Sequence, residues 1–251
     1  MITLSSSDWD IDGIETVFFD KDGTLIDSHL YWGRIIEMRS HALISMFNLK
    51  HDFHEKLCRV MGFSLETKRL LPEGPIALVS REKVIGILID FLSEHGFSVS
   101  QGQIEKLFVD VHSGFLREIY EYTAILPGVE AFLKELRGKG VKMAVITSDS
   151  IKNTEEIMSF LGIAKYFDLL LGKEATALPK ESGEPALVAL EQMKAERSST
   201  IVIGDTSMDI QMAENAQLKA GVAVALGQVP FESLQSETPH TVHGYHELRI
   251  L

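Results

Sequence analysis

Two acidic clusters stand far apart in the chain, Asp20-Lys21-Asp22-Gly23-Thr24-Leu25 and Gly204-Asp205-Thr206-Ser207-Met208-Asp209. The first follows the β-branched and aromatic run Ile14 to Phe19, and the second lies at the end of the run Thr200 to Asp205, so each reads as a buried strand feeding a turn. In a parallel sheet both clusters emerge on the edge where ligands bind. Carboxylates crowded there repel one another and resist ionisation unless a cation neutralises them. Oxygen ligands without a His or Cys partner favour a hard ion, and Mg²⁺ is the usual one beside phosphate. An Asp-Gly pair alone is an ordinary turn. Pairing the two clusters is what points to a site.

A third strand end, Val145-Ile146-Thr147-Ser148, supplies a hydroxyl and following backbone N–H groups that can bind phosphate oxygens. Lys180, in Pro179-Lys180-Glu181-Ser182-Gly183-Glu184-Pro185, stands just beyond a fourth strand candidate and can reach the same edge; Lys173 is its rival, nearer that strand. A lysine met singly is most often a solvated surface group.

The elements that must hold these residues alternate from Pro127 onward. Strand candidates are Val141 to Thr147, Leu169 to Gly172, Thr200 to Asp205 and Val222 to Leu226, with helical stretches between them, which predicts a parallel sheet with helices on both faces. Between Asp27 and Thr123 the apolar period is helical and no convincing strand appears. Tyr31, Ile35, Ala42 and Met46 mark one helix face, and Val84, Ile85, Leu88, Ile89 and Leu92 another. Ser100 with Gln103 forms a capping box ahead of Ile104, Leu107, Phe108, Val111 and Phe115, while Pro72, Gly74 and Pro75 make Leu70 to Ser80 a loop.

The bulk numbers bound the partners. With 251 residues and 45% apolar content the chain can bury a full core. A formal charge of −12 repels phosphate backbones and anionic lipids, which argues against nucleic-acid or membrane binding and requires a local positive site for any anionic substrate. Cys58 is the single cysteine, so no internal disulfide forms, and nothing near it in sequence supports a reactive thiol. No basic region followed by an apolar stretch opens the chain, and the expected setting is soluble and cytoplasmic. His51, His54 and Cys58 share a helical face, which more often lines a surface than binds a soft metal; His240, His243 and His246 are read as surface residues. In the insertion, Arg34 and Arg39 are candidates for gripping substrate, with Tyr31 and Trp32 beside them; Lys68 and Arg69 are comparable.

The four elements around Asp20, Thr147, Lys180 and Asp205, in this order, resemble the haloacid dehalogenase superfamily of phosphohydrolases, in its phosphoglycolate phosphatase-like branch with a helical cap after the first motif. Glu181 departs from the proline usual after the lysine, although Pro185 falls where many relatives place one. The resemblance implies an α/β fold, a Rossmann-like three-layer core with a parallel sheet (residues 1–26 and 124–251) and an inserted all-helical cap domain (27–123). It implies a Mg²⁺-dependent phosphatase acting on a small phosphorylated metabolite through an aspartyl-phosphate intermediate. Asp20 would be the nucleophile and Asp22 the general acid and base. Asp20, the Asp22 carbonyl and Asp205 would hold Mg²⁺ with Asp209 bracing them, and Thr147, Ser148 and Lys180 would bind phosphate. A phosphomutase with the same nucleophile and a non-catalytic phospho-acceptor protein are the alternatives; the insertion and Asp22 argue against the latter.

Overall fold

The structure is a computed structural model that describes residues 1–76 and 78–251. Strands β1 (Ile2–Ser5) and β2 (Asp10–Ile14) pair antiparallel, and β3 (Thr16–Phe19) follows after one residue. All four residues of β3 are buried, the pattern of a strand covered on both faces. Next come α1 (Ser28–Phe47), α2 (Phe53–Val60), β4 (Phe63–Ser64), β5 (Arg69–Leu70), α3 (Arg81–Glu94) and α4 (Gln101–Phe115). Beyond them lie α5 (Val129–Gly138), β6 (Lys142–Ile146), α6 (Ile151–Phe160), β7 (Leu169–Leu171), α7 (Glu184–Met193) and β8 (Thr200–Gly204). The chain closes with α8 (Ser207–Asn215), β9 (Ala220–Val224), α9 (Phe231–Gln235), β10 (Thr241–Val242) and β11 (Arg249–Ile250). It divides into two compact units, Met1–Asp27 with Ala124–Leu251, and Ser28–Thr123.

The first unit is built on a six-stranded sheet of order β10-β9-β8-β3-β6-β7, in which every neighbouring pair is parallel. Phe19 is level with Val145 on one side and Ile203 on the other, so the chain leaves β3, β6 and β8 at one edge of the sheet. Alternate residues serve opposite layers. Phe18, Ala144, Ile146 and Val202 pack with Ala186 and Ala189 of α7 and Met212 and Ala213 of α8. Phe19 turns the other way, its ring edge-on to Phe132 of α5 and to Phe167. Helices therefore cover both faces, giving the three-layer α/β core.

The strand expected at Val222 to Leu226 starts two residues earlier, because Ala220 and Gly221 pair with Ile201 and Val202 of β8; residues that small carry little strand signal of their own. A further sheet, β11-β1-β2, joins the two chain ends through Leu4 and Ile250. The β1–β11 pairing is remote in sequence and the strands are short, which leaves little local pattern to read.

The second unit is helical apart from one hairpin. Ile36, Leu43, Leu57, Val84, Leu88, Leu92, Ile104, Leu107 and Phe108 form its buried cluster. Ser80 accepts from the Lys83 N–H to cap α3, and Ser100 with Gln103 makes the capping box of α4. On α1 the buried face includes Tyr31 and Ile35, but Met46 is exposed and Leu43 fills the core instead. The two-residue strands β4 and β5 pair Phe63 with Leu70, a departure from the all-helical expectation, since strands that short show no alternation. None of the described helices is long and apolar enough to cross a membrane.

Leu88 is fully buried in the second unit's cluster. Leu88→Ala is expected to cost about 2–5 kcal/mol, read as a lower denaturant midpoint by far-ultraviolet circular dichroism.

Candidate active site

The parallel register places Asp20, Thr147 and Asp205 each one residue past the end of three adjacent strands. The Asp20 N–H donates to the Ile203 carbonyl at 3.0 Å, extending the ladder up to the candidate nucleophile. The chain then turns at Gly23, whose φ of +82° suits glycine and whose missing Cβ leaves room for the Asp205 carboxylate. Gly227 approaches Asp205 in the same way, so a side chain at either glycine would displace it. Thr24 Oγ1 donates to Asp205 Oδ1 at 3.3 Å, and Tyr245 donates to the Thr24 carbonyl at 3.1 Å.

Asp209 lies in the first turn of α8 and is fully buried. Its Oδ2 accepts from the N–H and hydroxyl of Thr206 at 3.1 and 2.8 Å, closing a capping box, and Gly204 has no Cβ to obstruct it. Asp20, Asp205 and Asp209 each offer an oxygen within 4.8 Å of the others, and all three are buried. Lys180, also buried, donates to Asp20 Oδ1 and lies 2.6 Å from Asp209 Oδ1. Lys173 is exposed. Three carboxylates against one ammonium leave an excess of negative charge, and an all-oxygen donor set of this kind fits a hard divalent cation.

The same excess shows in the acidities. Burial, reinforced by Asp209 and Asp22 and opposed by Lys180, pushes Asp20 up to about 7. Burial and the Asp20 and Asp209 charges hold Asp205 well above the carboxylate range. Burial tends to deprotonate Lys180, but its two carboxylate partners outweigh that and raise it above an ordinary lysine.

Asp22 is partly exposed, and its carboxylate meets Lys21 Nζ at 3.1 Å. Burial raises its pKa and Lys21 opposes the rise. Lys21 is fully buried and also donates to Asp149 Oδ2 at 2.9 Å. Asp149 accepts in addition from Asn153 Nδ2 at 2.5 Å and the Ser150 N–H at 2.7 Å. Burial pushes Asp149 upward, yet Lys21 and those donors hold it below its ordinary value. Sequence reasoning missed Lys21, Asp149 and Tyr245. Only the position of Lys21 between two aspartates hinted at its role, and nothing in sequence tied it to Asp149. Thr147 is buried and its hydroxyl accepts from the Asp149 N–H at 3.2 Å; Ser148 is exposed.

In the second unit, Arg34 is not a free cation. Its fork binds Glu118 at 2.8 to 3.0 Å and it lies 4.9 Å over the Tyr122 ring. Tyr31 is a packing residue, edge-on to Phe115 and Trp32. Arg39 is buried over the Phe108 ring. Lys68 pairs with Glu37, while Arg69 is exposed on β5. His54 Nδ1 lies 2.9 Å from Ser40 Oγ, and among the described residues the aspartate trio alone gathers ligand atoms closely enough for a metal. Burial pushes the Cys58 thiol up to about 12, leaving it unreactive. His243 and His246 are exposed, and His240 is half-buried against Trp9.

The haloacid dehalogenase-like hydrolase family matches residues 14–217, and the chain belongs to that family. It is 36% identical over 229 residues to a protein of Caldanaerobacter subterraneus subsp. tengcongensis provisionally named pyrophosphatase PpaX, covering 90% of this chain and 88% of that one. It is 25% identical over 227 residues to phosphoglycolate phosphatase of Aquifex aeolicus, covering 90% of each. Among solved structures, one from Haemophilus somnus 129pt, described by prediction as a phosphoglycolate phosphatase, superposes with a TM-score of 0.73 at 18% identity over 94% of this chain and 96% of the other, a likeness of fold.

Asp20, held near 7 against an ordinary 3.8, favours the folded state when protonated. That contribution is complete below pH 3.8 and is lost as pH rises toward 7. Metal-free protein should therefore melt at a lower temperature at about pH 8 than at about pH 5, and Asp20→Asn should shrink the difference. An unchanged difference in the variant would assign it to other groups.

Proposed function

We propose that this phosphatase hydrolyses a phosphate monoester of a small organic acid or sugar, with Asp20 as nucleophile, Asp22 as general acid and base, and Mg²⁺ as cofactor. The observation that carries the reading is the Asp20 carboxylate, held by Lys180 at the end of β3 within 4.8 Å of Asp205 and Asp209.

Asp20 attacks phosphorus in line, forming an acyl phosphate and splitting one hard displacement into two easier ones. Asp22, whose pKa is raised by burial, gives its proton to the departing oxygen and then takes one from the water that hydrolyses the intermediate. Lys21 holds the Asp22 carboxylate in place through the intervals when it is charged. Thr147 and Lys180 bind equatorial phosphoryl oxygens, where charge accumulates during transfer. Asp20, the Asp22 carbonyl and Asp205 would hold the cation, with Asp209 bracing Lys180 and the Asp205 turn. When bound, Mg²⁺ neutralises charge on the carboxylates and the transferring group.

The choice of substrate class is supported by a relative named phosphoglycolate phosphatase, whereas a relative named as a pyrophosphatase points to a phosphoanhydride instead. A panel containing 2-phosphoglycolate, sugar phosphates and inorganic pyrophosphate, scored by phosphate release, tests it.

Asp20→Asn should lower turnover by roughly a thousandfold or more while the circular dichroism spectrum stays unchanged, since the amide keeps the shape and loses the nucleophile. More than trace activity in a folded sample would sink the mechanism. Chelation should abolish activity and Mg²⁺ restore it, whereas Ca²⁺, with its larger and more variable shell, should restore it poorly. Full turnover after chelation would remove the cation from the reading.

Asp22→Asn separates acid catalysis from positioning. In single turnovers, acyl-phosphate formation should slow by roughly 10²- to 10⁴-fold for a sugar phosphate, which leaves as a basic alkoxide, and far less for p-nitrophenyl phosphate. Equal slowing for both would defeat the acid role of Asp22.

A further inference from the structure

Lys21 stands in the chain between the candidate nucleophile and the candidate proton donor, and it is completely buried in the first unit, at 0% exposure. Its ammonium straddles the Asp22 carboxylate, 3.2 Å from Oδ1 and 3.1 Å from Oδ2, and reaches Asp149 Oδ2 at 2.9 Å. Among the described residues Lys21 alone bonds the Asp22 carboxylate. The direction of that carboxylate is therefore set by where the ammonium stands.

Asp149 is held far more firmly. Its Oδ1 accepts from the Ser150 N–H at 2.7 Å, and its Oδ2 accepts from Asn153 Nδ2 at 2.5 Å as well as from Lys21. Ser150 is the N-cap of α6 and accepts from the Asn153 N–H, which fixes the first turn from which Asn153 reaches back. The Asp149 carbonyl accepts from the Lys173 N–H at 2.8 Å, and its own N–H donates to the Thr147 hydroxyl at 3.2 Å. One anchored residue thus touches both the candidate phosphate ligand at the end of β6 and, through Lys21, the candidate proton donor after β3.

Stability is a poor reason for this arrangement. A lysine is almost never fully buried unless paired, and replacing a buried ion pair by apolar side chains of similar volume is often neutral or stabilising. The turn after Asp20 also closes without the ammonium, because the Lys21 carbonyl accepts from the Leu25 and Ile26 N–H groups at 2.9 and 3.0 Å. What the ammonium adds is a strut from an anchored carboxylate to one that is otherwise unheld.

We propose that Asp149, acting through Lys21, is a positioning residue for Asp22, and that its loop registers the proton donor against the Thr147 phosphate contact. The inference rests on the reading of Asp22 as general acid and base and deepens it: Asp149 and Lys21 touch no reacting atom, and their effect on transfer passes through the direction of the Asp22 carboxylate.

The test uses the full chain carrying Lys21→Met, Asp149→Asn or both, so that a folding defect in one single variant leaves the others informative. In single turnovers Asp149→Asn should slow acyl-phosphate formation roughly 10- to 100-fold from a sugar phosphate and far less from p-nitrophenyl phosphate. Added to Asp22→Asn, it should slow the step no further, because the group it positions is already gone. The combined Lys21→Met and Asp149→Asn protein lacks the buried cation and its counter-charge, and should melt near the unaltered protein while staying slow on the sugar phosphate. Unslowed transfer from the sugar phosphate in Asp149→Asn, equal slowing of both substrates, additional slowing on Asp22→Asn, or recovered speed in the combined variant would each overturn the proposal and leave the network as charge balance. The acid role of Asp22 fails separately, by equal slowing of both substrates in Asp22→Asn with Lys21 and Asp149 intact.

Discussion

Concentrated negative charge at the carboxyl edge of the sheet is the constraint on which the rest of the first unit depends. Asp20, Asp205 and Asp209 are buried within 4.8 Å of one another, and Lys180 is the ammonium that meets two of them. A cluster of that kind is tolerable only where the fold enforces it. Three strands in register supply the enforcement, with glycines at 23, 204 and 227 leaving room for the carboxylates. The raised pKa values of Asp20 and Asp205 reflect that cost, and the three carboxylates are a donor set that could hold a divalent cation.

A second network holds the candidate proton donor beside that cluster. Lys21 bridges Asp22 to Asp149, while Asn153 and the Ser150 N–H fix Asp149 in turn. Two lysines thus divide the acidic edge between them. Lys180 serves the carboxylates suited to nucleophile and metal, and Lys21 serves the one suited to proton transfer. Because the two aspartates of Asp20-Lys21-Asp22 see different partners, one short turn can hold groups with different tasks.

The helical unit is organised differently, around apolar packing that does not need charge. Its polar features are isolated pairs and caps: Arg34 is committed to Glu118, Lys68 to Glu37, and helix ends are closed by Ser80 and Ser100. Against that background Arg39 stands out, buried in a unit whose other basic groups are exposed or paired.

Much of this was legible in the sequence because it is local. The strands Thr16–Phe19 and Thr200–Gly204 are apolar after their first threonine and lead straight into aspartates, and the family to which the chain belongs is consistent with those motifs. The helical period of the insertion and the Ser100 capping box are likewise short-range patterns. What lay beyond sequence depends on contacts between remote positions. Lys21 meets Asp149 across 128 residues and Tyr245 reaches Thr24 across 221, and no spacing announces either. β11 joins the β1–β2 hairpin only because the two chain ends meet. The arginines show the division most sharply: composition marks Arg34 and Arg39 alike as cations on one helix, and only packing decides that the first is neutralised by Glu118 while the second is sealed over Phe108 without a counter-ion. Side-chain type sets what a group is able to do, but its partners and its dielectric surroundings come from segments that only folding brings together.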